Sequence, residues 1–200
     1  MHVSIKPPIL YFGTPVVLIS TINTDGTPNL APMSSAWALG WHVMLGLGKA
    51  GQTFANLQRT GECVLSLPSE VLWDAVERLA PLTGRDPVPE HKLSYGARFE
   101  PRKFEAAGLH PASSECVAPP RVIECPVQLE ARVSAIHEVG DGATSAAVEV
   151  QVVRVHADEA IVTADHRHVR PDRWRPLIYS FRHYFGLGPE LARNFRARER

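Results

Sequence analysis

Apolar and polar positions alternate along this chain in blocks that read mostly as strands. "PVVLISTIN" (residues 15–23) is β-branched and apolar, "TDGTP" supplies an Asp-Gly turn, and "NLAPMSSAWAL" follows as a second extended segment, together a strong hairpin signal. "HVMLGLG" and "ECVLSLP" predict two more short strands with a helix, "AGQTFANLQRTG", between them. Phe54, Leu57 and Ala50 face inward at helical spacing, and Gly61 reads as the stop. Ser69 is placed as the N-cap of a second helix, "EVLWDAVERLAPLTG", with Leu72, Trp73, Val76 and Leu79 on the buried face. Residues 81–121 are rich in proline and polar residues, with one short helical turn near "RKFEAAG"; so long an excursion is expected to cover something. β-structure resumes with "CPVQLEARVSAIHEVG", the turn "GDGAT", "SAAVEVQVVRVHA", the turn "DE" and "AIVTA", an antiparallel meander. "RPLIYSFRHYFGLG" predicts a short strand and an aromatic turn, and "PELARNFRARER" a polar terminal helix at 189–200.

Composition narrows the class. The 200 residues suit one domain, 1–200, and 44% hydrophobic with 21% charged residues is the make-up of an ordinary globular protein. No apolar run approaches the roughly 20 residues that cross a bilayer. The start, "MHVSIKPPILYFGTP", lacks the features of a signal peptide. A cytoplasmic location without membrane attachment is expected. Cys63, Cys116 and Cys125 are odd in number and lack metal-ligand spacing, so reduced thiols are expected. Net charge is zero but unevenly spread: from residue 166 onward nine arginines face three acidic residues, whereas the first 165 residues carry twelve Lys and Arg against eighteen acids. With an overall pI of about 7.1 the chain does not read as a nucleic-acid binder, and the tail's arginines are expected to contact the acidic remainder of the same or a second chain. His166, His168 and His183 lack metal-site spacing, and no metal is expected.

"GLGKAG" (Gly46, Gly48, Gly51) is a G-x-G-x-x-G, and Glu70 lies near the spacing of a ribose-binding carboxylate. The surrounding pattern excludes a dinucleotide fold. That fold needs strands alternating with crossover helices, and here the opening strands form a hairpin and the later ones a meander. The segment's chemistry survives the loss of that fold. A helix start presents unpaired N–H groups and the positive end of the macrodipole, Gly48 and Gly51 let backbone approach an anion, and Lys49, Thr53, Ser34 and Ser35 add donors. These residues describe a phosphate cradle and, equally, a capped helix beside a solvated lysine.

Five pieces in order resemble the flavin reductase-like family of FMN-binding split-barrel proteins: "GTPVVLISTINTDGTPNLAPMSSAWALG", "LGLGKAGQTFANLQRTGECVLSLP", "VAPPRVIECPVQLEARV", "VHADEAIV" and "PLIYSFRHYFGLG". The resemblance implies a mainly β fold, a six-stranded antiparallel Greek-key barrel with several added α-helices, and a homodimer with flavin near the interface. It implies that Asn29, Met33, Ser34 and Ser35 line the isoalloxazine and ribityl chain. It also implies that Ser35, Lys49 and Thr53 hold the phosphate, with Gly48 and Asn56 in the same unit, and that Arg182 and Tyr184 close the pocket from the same or the second subunit.

In such a protein the flavin carries the redox chemistry and the chain binds and tunes it, which fits the lack of any catalytic triad or carboxylate pair. The activity implied is an NAD(P)H-dependent flavin reductase using FMN, or FAD if the pocket is open at its phosphate end, and serving, among other acceptors, a partner monooxygenase. A tightly bound FMN electron carrier or ferric reductase is the alternative, and a non-enzymatic split-barrel binding protein the third reading.

Overall fold

The computed structural model describes residues 1–140 and 142–195. The strands that carry the fold are β1 (Phe12–Pro15), β2 (Val17–Ile22), β3 (Pro28–Met33), β4 (Ala36–Leu39), β5 (His42–Gly48), β6 (Glu62–Leu67), β7 (Val127–Val139), β8 (Ser145–Ala157), β9 (Ile178–Ser180) and β10 (His183–Phe185). The helices are α1 (Gln52–Thr60), α2 (Trp73–Leu79), α3 (Glu90–Leu93) and α4 (Lys103–Ala107).

Seven strands form one antiparallel sheet in the order β3-β2-β6-β7-β8-β5-β4. Alternation along β2 shows why both faces of this sheet are covered. Val17 and Ile19 enter one core with Leu45, Leu65, Val148 and the α1 residues Phe54 and Leu57. Val16 and Leu18 enter a second with Val76, Leu79, Phe104 and Leu177. Side chains two apart share a face, so one apolar run serves both layers.

The edge strands β3 and β4 are consecutive in sequence and separated only by Ser34 and Ser35. The sheet therefore curls until its two edges are covalently joined, and Gly46 N–H donates to Ser35 O at 2.7 Å as the pairing of β4 with β5 runs out. No ladder joins β3 to β4 among the described residues. The mainly β antiparallel architecture is as expected. The split-barrel sheet carries seven strands rather than six and stays open at this seam among the described residues.

Other expectations are corrected locally. "NLAPMSSAWAL" is two strands broken at the serines rather than one. The second helix opens as a 3-10 turn at Glu70–Leu72, Ser69 makes no side-chain cap, and Trp73 lies 54% exposed while Ala75 takes the buried position. "AIVTA" forms a 3-10 turn at Glu159–Ile161 because Asp158 caps it, accepting from Ala160 N–H at 2.8 Å. Residues 189–194 carry no helix, and 196–200, the rest of the expected terminal helix, lie outside the described residues.

The excursion at 81–121 packs onto the sheet. Ser20 Oγ donates to Pro120 O at 2.5 Å. The buried Glu130 carboxylate accepts from the N–H groups of Glu115, Cys116 and Val117 and contacts His156 Nε2 at 2.7 Å. Burial works to raise this carboxyl's pKa, but the Glu115 and Cys116 amides and the His156 ring outweigh it and hold it low. Cys63 and Cys125 are buried free thiols, Cys63 pushed up to about 12 by desolvation, and Cys116 is a half-buried free thiol. Of the C-terminal arginines, Arg175 approaches Glu70 at 3.9 Å, while Arg170 and Arg173 pair locally with Asp172.

Candidate functional site

The Gly48–Thr53 segment lines a hollow beside the end of β3 and the start of α1. Helix α1 begins after Gly51, which offers no side-chain cap, and its first turn holds no acidic residue. The first-turn N–H groups thus have no acceptor within the helix. They face a cleft of about 640 Å³ whose walls include Pro32 and Met33 from the end of β3, Leu47 and Gly48 from β5, and Gln52 and Thr53 from α1. The opposite wall comes from the excursion: Leu82, Thr83, Gly84, His91, Lys92 and Lys103. The long excursion therefore covers one side of the cleft.

The wall beneath α1 is a buried polar network. Asn29 Nδ2 donates to Thr53 Oγ1 at 3.1 Å and to Thr21 Oγ1 at 3.3 Å. Asn56 Nδ2 donates to Thr21 Oγ1 at 3.0 Å and Asn23 Oδ1 at 2.9 Å, and Gln52 Nε2 donates back to Asn56 Oδ1 at 2.9 Å. Because the Thr53 hydroxyl accepts from Asn29, its own proton is available to a ligand. Asn29 Oδ1 is buried without a partner among the described residues. Such an orphan acceptor is uncommon in a folded interior.

No carboxylate lines this cleft among the described residues, whereas two lysines do. Lys103 is only 3% exposed and makes no hydrogen bond or ion pair within the described residues. Desolvation, followed by repulsion from Lys92, brings its amine down to about 7. Desolvation also lowers Lys92. A cleft with one buried and one half-buried lysine, a helix start and no acid among its described lining residues is built for an anion.

The structure divides the residues expected from sequence. Met33, Gly48 and Thr53 line the cleft, and Asn29 and Asn56 lie behind its wall and hold Thr53 and Gln52. Ser35 lies in an adjoining hollow of about 710 Å³ with Tyr11, Trp37 and Met44, which shares Leu47, Gly48 and Ser145 with the cleft; Ser35 Oγ donates to Tyr11 Oη at 2.7 Å. Ser34 lines neither hollow. Lys49 does not line the cleft, and its Nζ is 2.6 Å from Glu138 Oε1. Tyr184 is on β10 of the small sheet β1-β9-β10 and Arg182 in the turn between β9 and β10, and neither lines the cleft. Tyr184 Oη donates to Glu77 Oε2 at 3.1 Å, and Arg182 takes a left-handed turn conformation, φ 71°. His166 and His168 border a separate hollow with Trp41, and His183 is exposed.

Lys103, Lys92, His91 and Gly84 escaped the sequence reading. One signal for Lys103 was present: it stands four residues before Ala107, on the face of α4 that the helical turn buries.

Comparison with known proteins bears on what this cleft serves. The flavin reductase like domain family matches residues 3–188. An uncharacterized protein, YdfE, of Bacillus subtilis (strain 168) is 46% identical over 193 residues, 96% of this chain and 93% of that one. Among solved structures, flavoredoxin of Desulfovibrio vulgaris (Miyazaki F) superposes with TM-score 0.80 at 24% identity, covering 98% of this chain and 99% of its own. Nitrilotriacetate monooxygenase component B from Bacillus cereus superposes with TM-score 0.74 at 21% identity, covering 93% and 89%. These two likenesses are to the fold. No helix among the described residues is long and apolar enough to cross a membrane. With the family match spanning nearly the whole chain, the protein belongs to the flavin reductase-like family of flavin-linked oxidoreductases.

Proposed function

We propose that the protein is an NAD(P)H-dependent flavin reductase that holds FMN in the cleft at the start of α1. The observation that carries this reading is the pairing of an uncapped helix start with buried Lys103, which has no partner among the described residues, in a cleft that no described acid lines. The donor set fits a phosphomonoester: first-turn N–H groups, the Thr53 hydroxyl and two lysines, with Gly48 and Gly51 allowing close approach. Pro32, Met33 and Leu47, continuing into the hollow of Tyr11, Ser35 and Trp37, offer an apolar and aromatic wall for a flat ring system.

FMN held there would supply two-electron redox chemistry between a reduced nicotinamide and an acceptor. The chain's own residues bind and orient. Thr53 is fixed by Asn29, and Gln52 by Asn56, so the donors are set before a ligand arrives. The excursion excludes water from one side of the cleft.

A homodimer belongs to this reading. Trp37, Leu39 and Trp41 are 59%, 73% and 60% exposed on or beside edge strand β4, next to the hollow that adjoins the cleft. The monooxygenase component among the structural relatives supports a monooxygenase as one acceptor of reduced flavin. A cytoplasmic location, near NAD(P)H, accompanies it.

Steady-state oxidation of NADH and NADPH, with and without added FMN, tests the proposal. Turnover that rises with added FMN is the expected result. Flavin that stays bound and turns over independently of added FMN points to the electron-carrier alternative. A flavin-loaded protein that oxidises neither nucleotide contradicts the reductase reading.

A further inference from the structure

We propose that Lys103 is the cleft's charge sensor for phosphate: it takes a proton from solvent when the phosphate dianion of FMN enters, and so makes FMN binding pH-dependent while riboflavin binding is not. The inference rests on the FMN reading of the cleft and adds to it the residue that discriminates phosphorylated from unphosphorylated flavin.

The geometry sets up the linkage. Lys103 is carried by α4 with its neighbours Phe104 and Ala107 sunk in the second core, and the residue is only 3% exposed. It borders two hollows, the cleft on one side and, on the other, one of about 530 Å³. In the cleft the titratable groups beside it are His91 and Lys92. In the second hollow they are Asp25, Arg102, Glu105 and His110. From α2, which packs on α4, Arg78 is spent on Ala107 O at 2.7 Å and on Asp74 at 2.9 Å. None of the acids among them is hydrogen-bonded to or ion-paired with Lys103: Asp25 accepts from Thr27, and Glu105 pairs with Arg102 at 3.2 Å.

Desolvation and the neighbouring Lys92 leave this amine titrating at about 7 when the cleft holds no anion. A dianion in the cleft favours the protonated form. Above pH 7 the ligand must then bring a proton with it, drawn from the buffer to Nζ. Phosphomonoesters are already dianions in that range, their second pKa being near 6, so the phosphate's own titration does not produce the slope. The Thr53 hydroxyl and α1 amides attract the phosphate at every pH. Of the two lysines Lys103 is the one held down to about 7, so it gates that attraction through its own proton.

The test is the pH dependence of FMN and riboflavin affinity from pH 7 to 9, in the wild type, Lys103→Arg and Lys103→Met, with calorimetry in two buffers of different ionisation enthalpy. Wild-type FMN affinity should weaken toward about tenfold per pH unit, with uptake approaching about one proton per site at pH 8. Riboflavin affinity should stay flat. Lys103→Arg, charged throughout, should bind FMN with a flat profile, and Lys103→Met should bind it weakly and flatly. A flat wild-type profile overturns the inference and leaves the FMN reading standing. A slope that survives in Lys103→Arg also overturns it, transferring the titration to Lys92 or His91. Riboflavin showing the same slope overturns the phosphate assignment. Failure of the wild type to bind FMN at any pH overturns the inference together with the function it rests on.

Discussion

Asn29 Oδ1 lies where any side chain at position 84 would have to begin: an ideal Cβ on Gly84 comes within 2.5 Å of that oxygen and 3.3 Å of Gln52 Cγ. Glycine is required here by close approach rather than by a left-handed φ. The contact joins the excursion to the network that holds Thr53, since the same Asn29 carboxamide donates to Thr53 and Thr21.

Gly84→Ala is therefore expected to destabilise the protein by about 1–3 kcal/mol, the range for inserting a methyl group into a packed site. It should weaken FMN binding as well, because Asn29 must move. Urea unfolding and an FMN titration of the variant check both. Unchanged values in both would show that residues 82–85 yield freely and that the network does not set the cleft.

Lys49 is held away from the cleft by Glu138, at 2.6 Å, in a pair whose side chains are 31% and 68% exposed. Exposed pairs of this kind contribute about 0–1 kcal/mol. Lys49→Ala should change stability by less than about 1 kcal/mol and reduce FMN affinity less than Lys103→Met does at pH 7. If Lys49→Ala instead weakens FMN by about tenfold or more, a loss of about 1.4 kcal/mol, Lys49 leaves Glu138 for the phosphate, as the family resemblance implied.

Burying Lys103 has a stability signature of its own. A lysine in the unfolded chain titrates near 10.4, whereas in the fold this one does so at about 7. Between those values the unfolded chain binds more protons, so the stability of the ligand-free protein rises with pH across that window. Below pH 7 the full cost of burying the charge is present. Lys103→Met should accordingly raise stability by roughly 1–4 kcal/mol at pH 6 and by much less at pH 9. Unfolding midpoints at the two pH values decide it. Equal gains at both, or a loss at pH 6, would mean that the amine is not held in a low-dielectric site.

The fold was largely legible because its strands alternate cleanly and its turns carry Asp-Gly or glycine. The split of one extended run into β3 and β4 was hidden. Nothing in "PMSSAW" breaks β-pattern, and the bend there comes from the sheet curling on itself. Trp73 looked like core because one helix was read from 70 onward. The 3-10 turn shifts the phase and turns the indole outward. At the site, the α1 start was readable from Gly51 and Thr53, since a helix terminus is a local feature. The lysines opposite were not readable. They arrive from 40 to 50 residues away along a proline-rich path whose packing no periodicity records. A surface partner for Lys49 likewise depends on where Glu138 of the long β7–β8 hairpin ends up.

If the cleft at the start of α1 holds the flavin phosphate, FMN and riboflavin must differ in affinity at pH 7. Charge-assisted hydrogen bonds contribute about 1.5–3 kcal/mol each. Fluorescence-quenching titrations of the wild-type protein should then show FMN binding at least about tenfold more tightly than riboflavin. Equal affinity for the two flavins would mean that this cleft does not hold the phosphate.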